Sequence, residues 1–295
     1  VELVAEEQTQ VTCAQIQPLP SVDFAKVWRE RLIADNPKGR LDPEIDRRFW
    51  ASIANDYDRQ IEASGSCKRT LEMIGRWLRP SDTLLDVGAG TGRFTLPLAA
   101  QVASVTALDD SPDMLRVLAQ KIEAQGVSNV QLLHGAMESA PLPEHDVVLA
   151  AWSLYRQLDL PATLRRLAAA ARRLLIIVAG HPYTPPHRPL MEKIWNLPPK
   201  DAFPAYLYIL GVMHQVGLNA EAFVVREIVC HRAKVVETLA RKLAPEHASP
   251  EEIRRFTALL RPKLQRMGED YAYVQVGLAG LIVHRQEDAL DPVLE

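Results

Sequence analysis

Thr83 to Val87 is a short apolar run that passes straight into a turn with glycine at 88, 90 and 92. A helix-forming stretch follows at once, to Val102. Strand, tight turn and helix start in direct succession commit a chain to layered α/β architecture, because each such unit buries a helix stripe on a sheet face. Glycine lets the backbone take positive φ and lets a ligand approach the main chain closely. The helix start adds unpaired N–H groups and a positive dipole end. The turn is thus built to hold a small polar ligand against backbone.

The spacing narrows the ligand. Dinucleotide enzymes use G-x-G-x-x-G, in which the third glycine permits close helix–strand packing. Here that glycine comes one residue early, at Gly92, and Arg93 stands in its place. An acid, Asp86, also lies inside the strand end, where it would repel a pyrophosphate and favour a cationic group. A second apolar run, Ser104 to Leu108, ends at Asp109 and continues Asp110-Ser111-Pro112-Asp113-Met114-Leu115. An acid at the end of a second strand can accept from both hydroxyls of a ribose. Ser111 and Pro112 also make a good helix start as N-cap and N1.

Leu84 to Gly92 and Thr106 to Leu115 together resemble the motifs of class I S-adenosylmethionine-dependent methyltransferases of small-molecule type. The resemblance covers roughly residues 45 to 285. It implies a Rossmann-like core, S-adenosyl-L-methionine as cofactor and S-adenosyl-L-homocysteine as product. By the same resemblance Asp86, Gly88, Ala89, Gly90 and Gly92 hold the methionine moiety. Asp109, with Asp110 beside it, is the ribose ligand, and Met114 lies near the adenine. After the third strand the family often has Gly-Asp-Ala-Glu, but here the chain reads Gly135-Ala136-Met137-Glu138. The usual adenine-binding acid is thus missing, and backbone around Ala136 and Met137 is expected to serve. The segment Phe49 to Asp58 resembles the one that folds over the cofactor in many of these enzymes, which brings in Tyr57.

Apolar runs at 83–87, 104–108, 130–133, 146–150 and 174–179 predict strands, and helices are predicted over 93–102, 112–125 and 161–173. This alternation implies parallel βαβ units and a doubly wound sheet with helices on both faces. Upstream, helices are predicted from Val22 to Ala34 with Ser21 as cap, from Asp42-Pro43 through Tyr57, and from 67 to 78. Downstream come a helix at 204–216, a strand at 222–231, helices at 234–243 and 249–267, and a last strand at 273–283. By the resemblance, the two late strands end a seven-stranded, mostly parallel sheet as an antiparallel pair. The expected organisation is an N-terminal arm and helical cap (1–80), the Rossmann-like core (81–231), a helical insertion (232–270), and the last strand with a tail (271–295).

Composition limits the partners. A net charge of −3 gives no global attraction to nucleic acid or anionic lipid. Arg165, Arg166, Arg172 and Arg173 are expected on one helix as a solvated face. The longest apolar run, Leu174 to Gly180, is too short to span a membrane. The acidic N-terminus lacks the basic start of a signal peptide. Three scattered cysteines suit neither a metal site nor a disulfide framework. A cytoplasmic location is expected, and the N-terminal arm could serve a homodimer.

Acceptor chemistry should sit at the C-terminal ends of the fourth and fifth strands. Asn/Asp-Pro-Pro-Tyr and Pro-Cys motifs are absent from the fourth, which argues against amino-group methylation of nucleobases or glutamine and against cytosine C5 methylation. Trp152 and Tyr155 stand there instead, Tyr155 as a candidate catalytic group. His181 after the fifth strand is the candidate base, since imidazole titrates near working pH. His181 and His187 lack the carboxylate or cysteine that would complete a metal site, so no metal is expected. Tyr183, and Tyr206 and His214 on the helix at 204–216, are candidate pocket residues. The expected activity is methyl transfer to O, N or C of a small-molecule acceptor. A non-catalytic S-adenosylmethionine-binding regulator stays open and, further off, an NAD-dependent oxidoreductase.

Overall fold

A computed structural model of the chain describes residues 22–36, 39–64, 67–180, 187–197, 203–245 and 247–286, with 59–64 described by backbone alone. Three helices lead: α1 (Phe24–Ala34), α2 (Pro43–Ser64) and α3 (Lys68–Gly75). The core then runs β1 (Thr83–Val87), α4 (Thr95–Ala99), β2 (Ser104–Asp109), α5 (Pro112–Gln125), β3 (Val130–His134), β4 (His145–Ala151), α6 (Leu160–Ala170) and β5 (Ala171–Gly180). After it come α7 (Arg188–Glu192), α8 (Ala205–Gln215), β6 (Ala220–Ala233), α9 (Val236–Leu243), α10 (Pro250–Leu260), β7 (Gln265–Met267) and β8 (Asp270–Arg285).

The strands form one sheet in the order β3-β2-β1-β4-β5-β8-β6, with short β7 paired to β8. The first five are parallel, and β8 lies antiparallel between β5 and β6. The doubly wound sheet read from the sequence is therefore present. The chain leaves β1 for β2 on one side and returns to β4 on the other. That reversal opens a crevice above the C-terminal ends of β1, β2 and β4, where ligands bind in folds of this kind.

Strand residues alternate between two cores. Leu85, Val87, Val148, Leu175 and Ile177 face α1, α6 and α8, meeting Trp28, Leu164, Leu167 and Met213. Leu84, Val105, Val147, Leu149 and Ile176 face the opposite way, toward Ile74 and Leu98. α7, α9 and α10 build a third cluster around Trp195, Leu239, Phe256 and Tyr273.

Several element ends differ from the sequence reading. α1 begins at Phe24, capped by the Asp23 carboxylate, which accepts from the Lys26 N–H at 2.9 Å; Ser21 lies outside the described residues. α4 is short because 91–94 form a turn around Gly92. α6 stops at Ala170, so Arg172 and Arg173 lie on β5 and not on a helix. The expected basic helix face is dispersed. Arg172 reaches Asp146 at 3.1 Å, Arg173 pairs with buried Asp82, and Arg166 donates to the Ala140 carbonyl at 2.7 Å. α10 ends at Leu260, where Pro262 forces a single 3-10 turn, and 265–267 then return as β7 against β8. Its N-terminus carries a capping box, Ser249 with Glu252. No described helix is long and apolar enough to cross a membrane.

Candidate active site

The glycine turn is fastened to the end of β2. The N–H groups of Gly88 and Ala89 both donate to the Leu108 carbonyl, at 2.8 and 3.0 Å. Gly90 N–H donates to Asp109 Oδ2 at 2.8 Å, and Ser111 N–H donates to Oδ1 at 2.9 Å. Asp86 is buried beneath the turn and accepts from the Thr95 hydroxyl at 2.6 Å. Gly88 and Gly90 hold φ of 77° and 56°, which a side chain would strain. A Cβ on Gly88 would lie 2.3 Å from Ser153 Cβ, whereas one on Gly90 would meet nothing within 4 Å.

This turn forms one side of a cavity of about 340 Å³, a size typical of small-ligand pockets. Asp86, Gly88, Ala89, Gly90, Asp109, Asp110, Met114 and Met137 line it, as the sequence reading expects. Trp152 and Tyr155 form a wall beyond the end of β4, and Tyr57 reaches in from α2. Eleven of the candidate residues are thereby brought together by elements far apart in the chain.

Four candidates are not. Gly92 is buried under the turn, where a Cβ would meet Leu118 at 2.4 Å; its smallness serves packing of α5 and not a ligand. Ala136 is bypassed, since its carbonyl accepts from Ala140 N–H at 2.8 Å while Gly135 and Met137 line the cavity on either side. Tyr206 packs on β8, so closely that a Cβ on Gly280 would sit 2.2 Å from it. His214 is exposed in the last turn of α8. His181 and Tyr183 lie outside the described residues.

Part of the lining lies outside the residues expected from the sequence. Trp50 lies two turns before Tyr57 on the same helical face, a spacing that could have revealed it. Arg93, Phe94, Ser153 and Arg156 flank recognised residues, but the cavity takes them in through turns whose course depends on distant partners. Glu138, which neighbours the adenine candidates, lines the cavity and accepts from Gln157 at 2.7 Å.

Trp152 is the one non-glycine residue with positive φ (51°) among those described. A bulky side chain there is strained and persists only where its surroundings hold it. Its N–H donates to the Val178 carbonyl at 2.8 Å. Its ring lies 5.5 Å from that of Phe94, and the Arg93 guanidinium sits 5.2 Å from its centre. The result is an indole held at the cavity edge, 38% exposed.

Electrostatics separate the acids from the phenol. Burial raises both Asp86 and Asp109 to about 6, against hydrogen bonds that favour their charged forms. Two carboxylates held reluctantly charged in one cavity favour a cationic or hydroxyl-rich ligand. Tyr155 is pushed the other way for a base. Burial and its hydrogen bond to Asp46 hold the phenol proton far above the ordinary tyrosine range. It therefore belongs to the wall and is no proton acceptor at neutral pH.

The donor set suits S-adenosylmethionine. Asp86 and Asp109 are two acids that a cationic group or vicinal hydroxyls can meet, and Leu108, Met114 and Met137 are apolar lining of the same cavity. Ser153 Oγ is buried without a hydrogen-bond partner beside Gly88, a donor and acceptor left for a polar ligand group.

Residues 84–175 match the family model described as a methyltransferase domain. An uncharacterised protein of Haemophilus influenzae is 28% identical over 223 residues, covering 74% of this chain and 80% of that protein. A demethylmenaquinone methyltransferase of Geobacillus stearothermophilus is 36% identical over 129 residues, covering 41% of this chain and 55% of that enzyme. This chain thus spans little more than half of that enzyme. Among solved structures, magnesium protoporphyrin IX methyltransferase of Synechocystis with bound S-adenosylhomocysteine superposes with a TM-score of 0.53 at 18% identity. It covers 83% of this chain and all of that one, and shares the fold. The matched segment holds the glycine turn, Asp86, Asp109 and the wall beyond β4, so the cavity lies in the part of the chain that is similar to a methyltransferase domain.

Proposed function

We propose that the protein transfers a methyl group from S-adenosylmethionine to an O, N or C atom of a small-molecule acceptor in the cytoplasm. The observation that carries this reading is one cavity in which Asp86, the glycine turn and Asp109 face an aromatic wall of Trp50, Phe94, Trp152 and Tyr155. When bound, the cofactor supplies a methyl already activated on a sulfonium. The protein's contribution is then alignment and exclusion of water. Asp86 and Ser153 hold the methionine end and Asp109 the ribose. The wall beyond β4 orients a flat acceptor, as aromatic faces do. The helical cap expected within residues 1–80 acts over the core through Trp50 and Tyr57. His181 and Tyr183 follow β5 and are proposed to complete the acceptor side, His181 as base where the acceptor must lose a proton. Relatives named as demethylmenaquinone methyltransferases and as a ubiquinone/menaquinone biosynthesis C-methyltransferase support a small acceptor, matching 41–50% of this chain.

Calorimetric titration tests the cofactor. S-adenosylmethionine is expected to bind and NAD to give no heat; the reverse would sink the reading. Incubation with labelled methyl donor and fractionated small-molecule extracts tests turnover. Label is expected in one small-molecule fraction, and its absence from all would point to a sensor.

The raised carboxylates make binding pH-dependent. A ligand that needs Asp86 and Asp109 charged must remove their protons below about pH 6. Affinity for S-adenosylmethionine is expected to fall about tenfold per pH unit between 6 and 5 for each carboxylate engaged. Titrations in two buffers of different ionisation heat should show protons released near pH 6. Affinity that is flat from pH 5 to 7 would remove both acids from the contact.

A further inference from the structure

Asp46 lies in the first turns of α2, outside the cavity lining, with 1% of its surface exposed. Its Oδ1 receives Arg40 Nε and a terminal guanidinium nitrogen, each at 2.7 Å. Its Oδ2 receives the Tyr155 hydroxyl at 2.7 Å, Trp50 Nε1 at 3.1 Å and Arg156 Nε at 3.2 Å. Trp50 Nε1 also lies 2.7 Å from the Tyr155 hydroxyl, and Arg156 extends its other arm to Asp110 at 2.8 Å. One carboxylate thereby gathers groups from α2, from the loop before it and from the turn after β4. Through Arg156 it also reaches the end of β2.

Burying a carboxylate between two guanidiniums gives little net stability, because desolvation offsets the attraction. Apolar packing would hold α2 equally well. What the charge adds is direction. Trp50, Tyr155 and Arg156 all line the cavity, and their polar ends all converge on Asp46. α2 is tied a second time three turns later, where Asp58 accepts from the Thr91 hydroxyl at 2.6 Å and from Lys121 at 2.8 Å. Trp50 and Tyr57 lie between the two ties. The first tie fixes α2 to the acceptor wall, and the second fixes it to the glycine turn.

We propose that Asp46 is a positioning residue of the methyl-transfer site, setting Trp50, Tyr155 and Arg156 against the cofactor without touching it. The proposal rests on the S-adenosylmethionine reading above. S-adenosylhomocysteine release, followed by stopped-flow tryptophan fluorescence on the full chain, tests it. Asp46→Asn keeps the volume and removes the charge. It is expected to release the ligand about tenfold faster. Tyr155→Phe loses one hydrogen bond to the same carboxylate and is expected to release it about threefold faster. The double variant should be no faster than Asp46→Asn alone, because both changes cut the same link. Ultraviolet titration against Tyr155→Phe isolates this one phenol, which in Asp46→Asn should ionise at lower pH than in wild type.

Each outcome decides something. Variants that melt lower yet release S-adenosylhomocysteine at the wild-type rate would show a purely structural carboxylate and overturn the proposal. If Asp46→Asn fails to fold, Tyr155→Phe decides alone, and wild-type release from it overturns the assignment. Wild-type protein that shows no binding overturns the cofactor reading itself, a result distinct from unchanged release.

Discussion

Asp109→Ala is expected to weaken S-adenosylhomocysteine binding about a hundredfold. A hydrogen bond to a charged acceptor contributes about 1.5–3 kcal/mol, and two ribose hydroxyls compete for this one carboxylate. A combined loss near 3 kcal/mol corresponds to about two powers of ten in affinity. Its two oxygens already order the site, one receiving Gly90 N–H and the other Ser111 N–H. Asp109→Asn separates these roles, since the amide oxygen can still accept from one of them. It should bind about tenfold more weakly than wild type, because a neutral acceptor keeps roughly half the strength. The sign of the stability change also follows. Asp109 sits at about 6 in the folded protein, above the value near 3.9 of an unfolded aspartate. The folded state therefore binds the extra proton between those values, and the wild type loses stability as pH rises through that window. Asn has no such loss, so its advantage should be present above pH 6 and gone below about pH 4. Calorimetry at pH 7 together with melting curves at pH 4 and 7 measures both. Affinity within threefold of wild type in Asp109→Ala would remove the ribose role.

The fold and the glycine-turn side of the cavity were legible because they are written locally. Each strand is a contiguous apolar run, and Asp86, Gly88, Gly90 and Asp109 act within a few residues of backbone. What was not legible depends on partners far along the chain. Ala168 to Arg173 reads as continuous helix by propensity. The chain leaves the helix because Ala171 and Leu174 pair with β4 and Arg173 meets Asp82. Gly92 looked like a ligand glycine until Leu118 of α5 accounted for its size. Tyr206 carries the aromatic character of an acceptor lid, yet Gly280 on β8 leaves a slot that takes it into the core instead. Asp46 gave no local sign, since Tyr155 stands 109 residues away. Ser153 carries no signal in the sequence, because only the approach of Gly88 shows that its hydroxyl is enclosed and unsatisfied.

Gly90→Ala should leave a folded protein that no longer binds the cofactor. Two costs of an added methyl can be told apart here. The first is backbone strain at φ of 56°, about 1 kcal/mol or slightly more. In a chain of this size that lowers the melting temperature by roughly 2–4 °C. The second is collision, and a Cβ at this position meets no protein atom within 4 Å. Gly88→Ala could not make the distinction, because its Cβ would strike Ser153 and disturb the end of β4 as well. Gly126 supplies the matched control: its φ is 65°, a Cβ there also meets nothing within 4 Å, and it follows α5 outside the cavity lining. Gly126→Ala is expected to show the same small loss of stability with unchanged affinity. Gly90→Ala is expected to lose S-adenosylhomocysteine affinity by a hundredfold or more, because the methyl takes the space in which a ligand lies against the turn. Equal affinities in the two variants would mean that the ligand does not rest on this backbone. The glycine pattern would then owe its spacing to the turn alone.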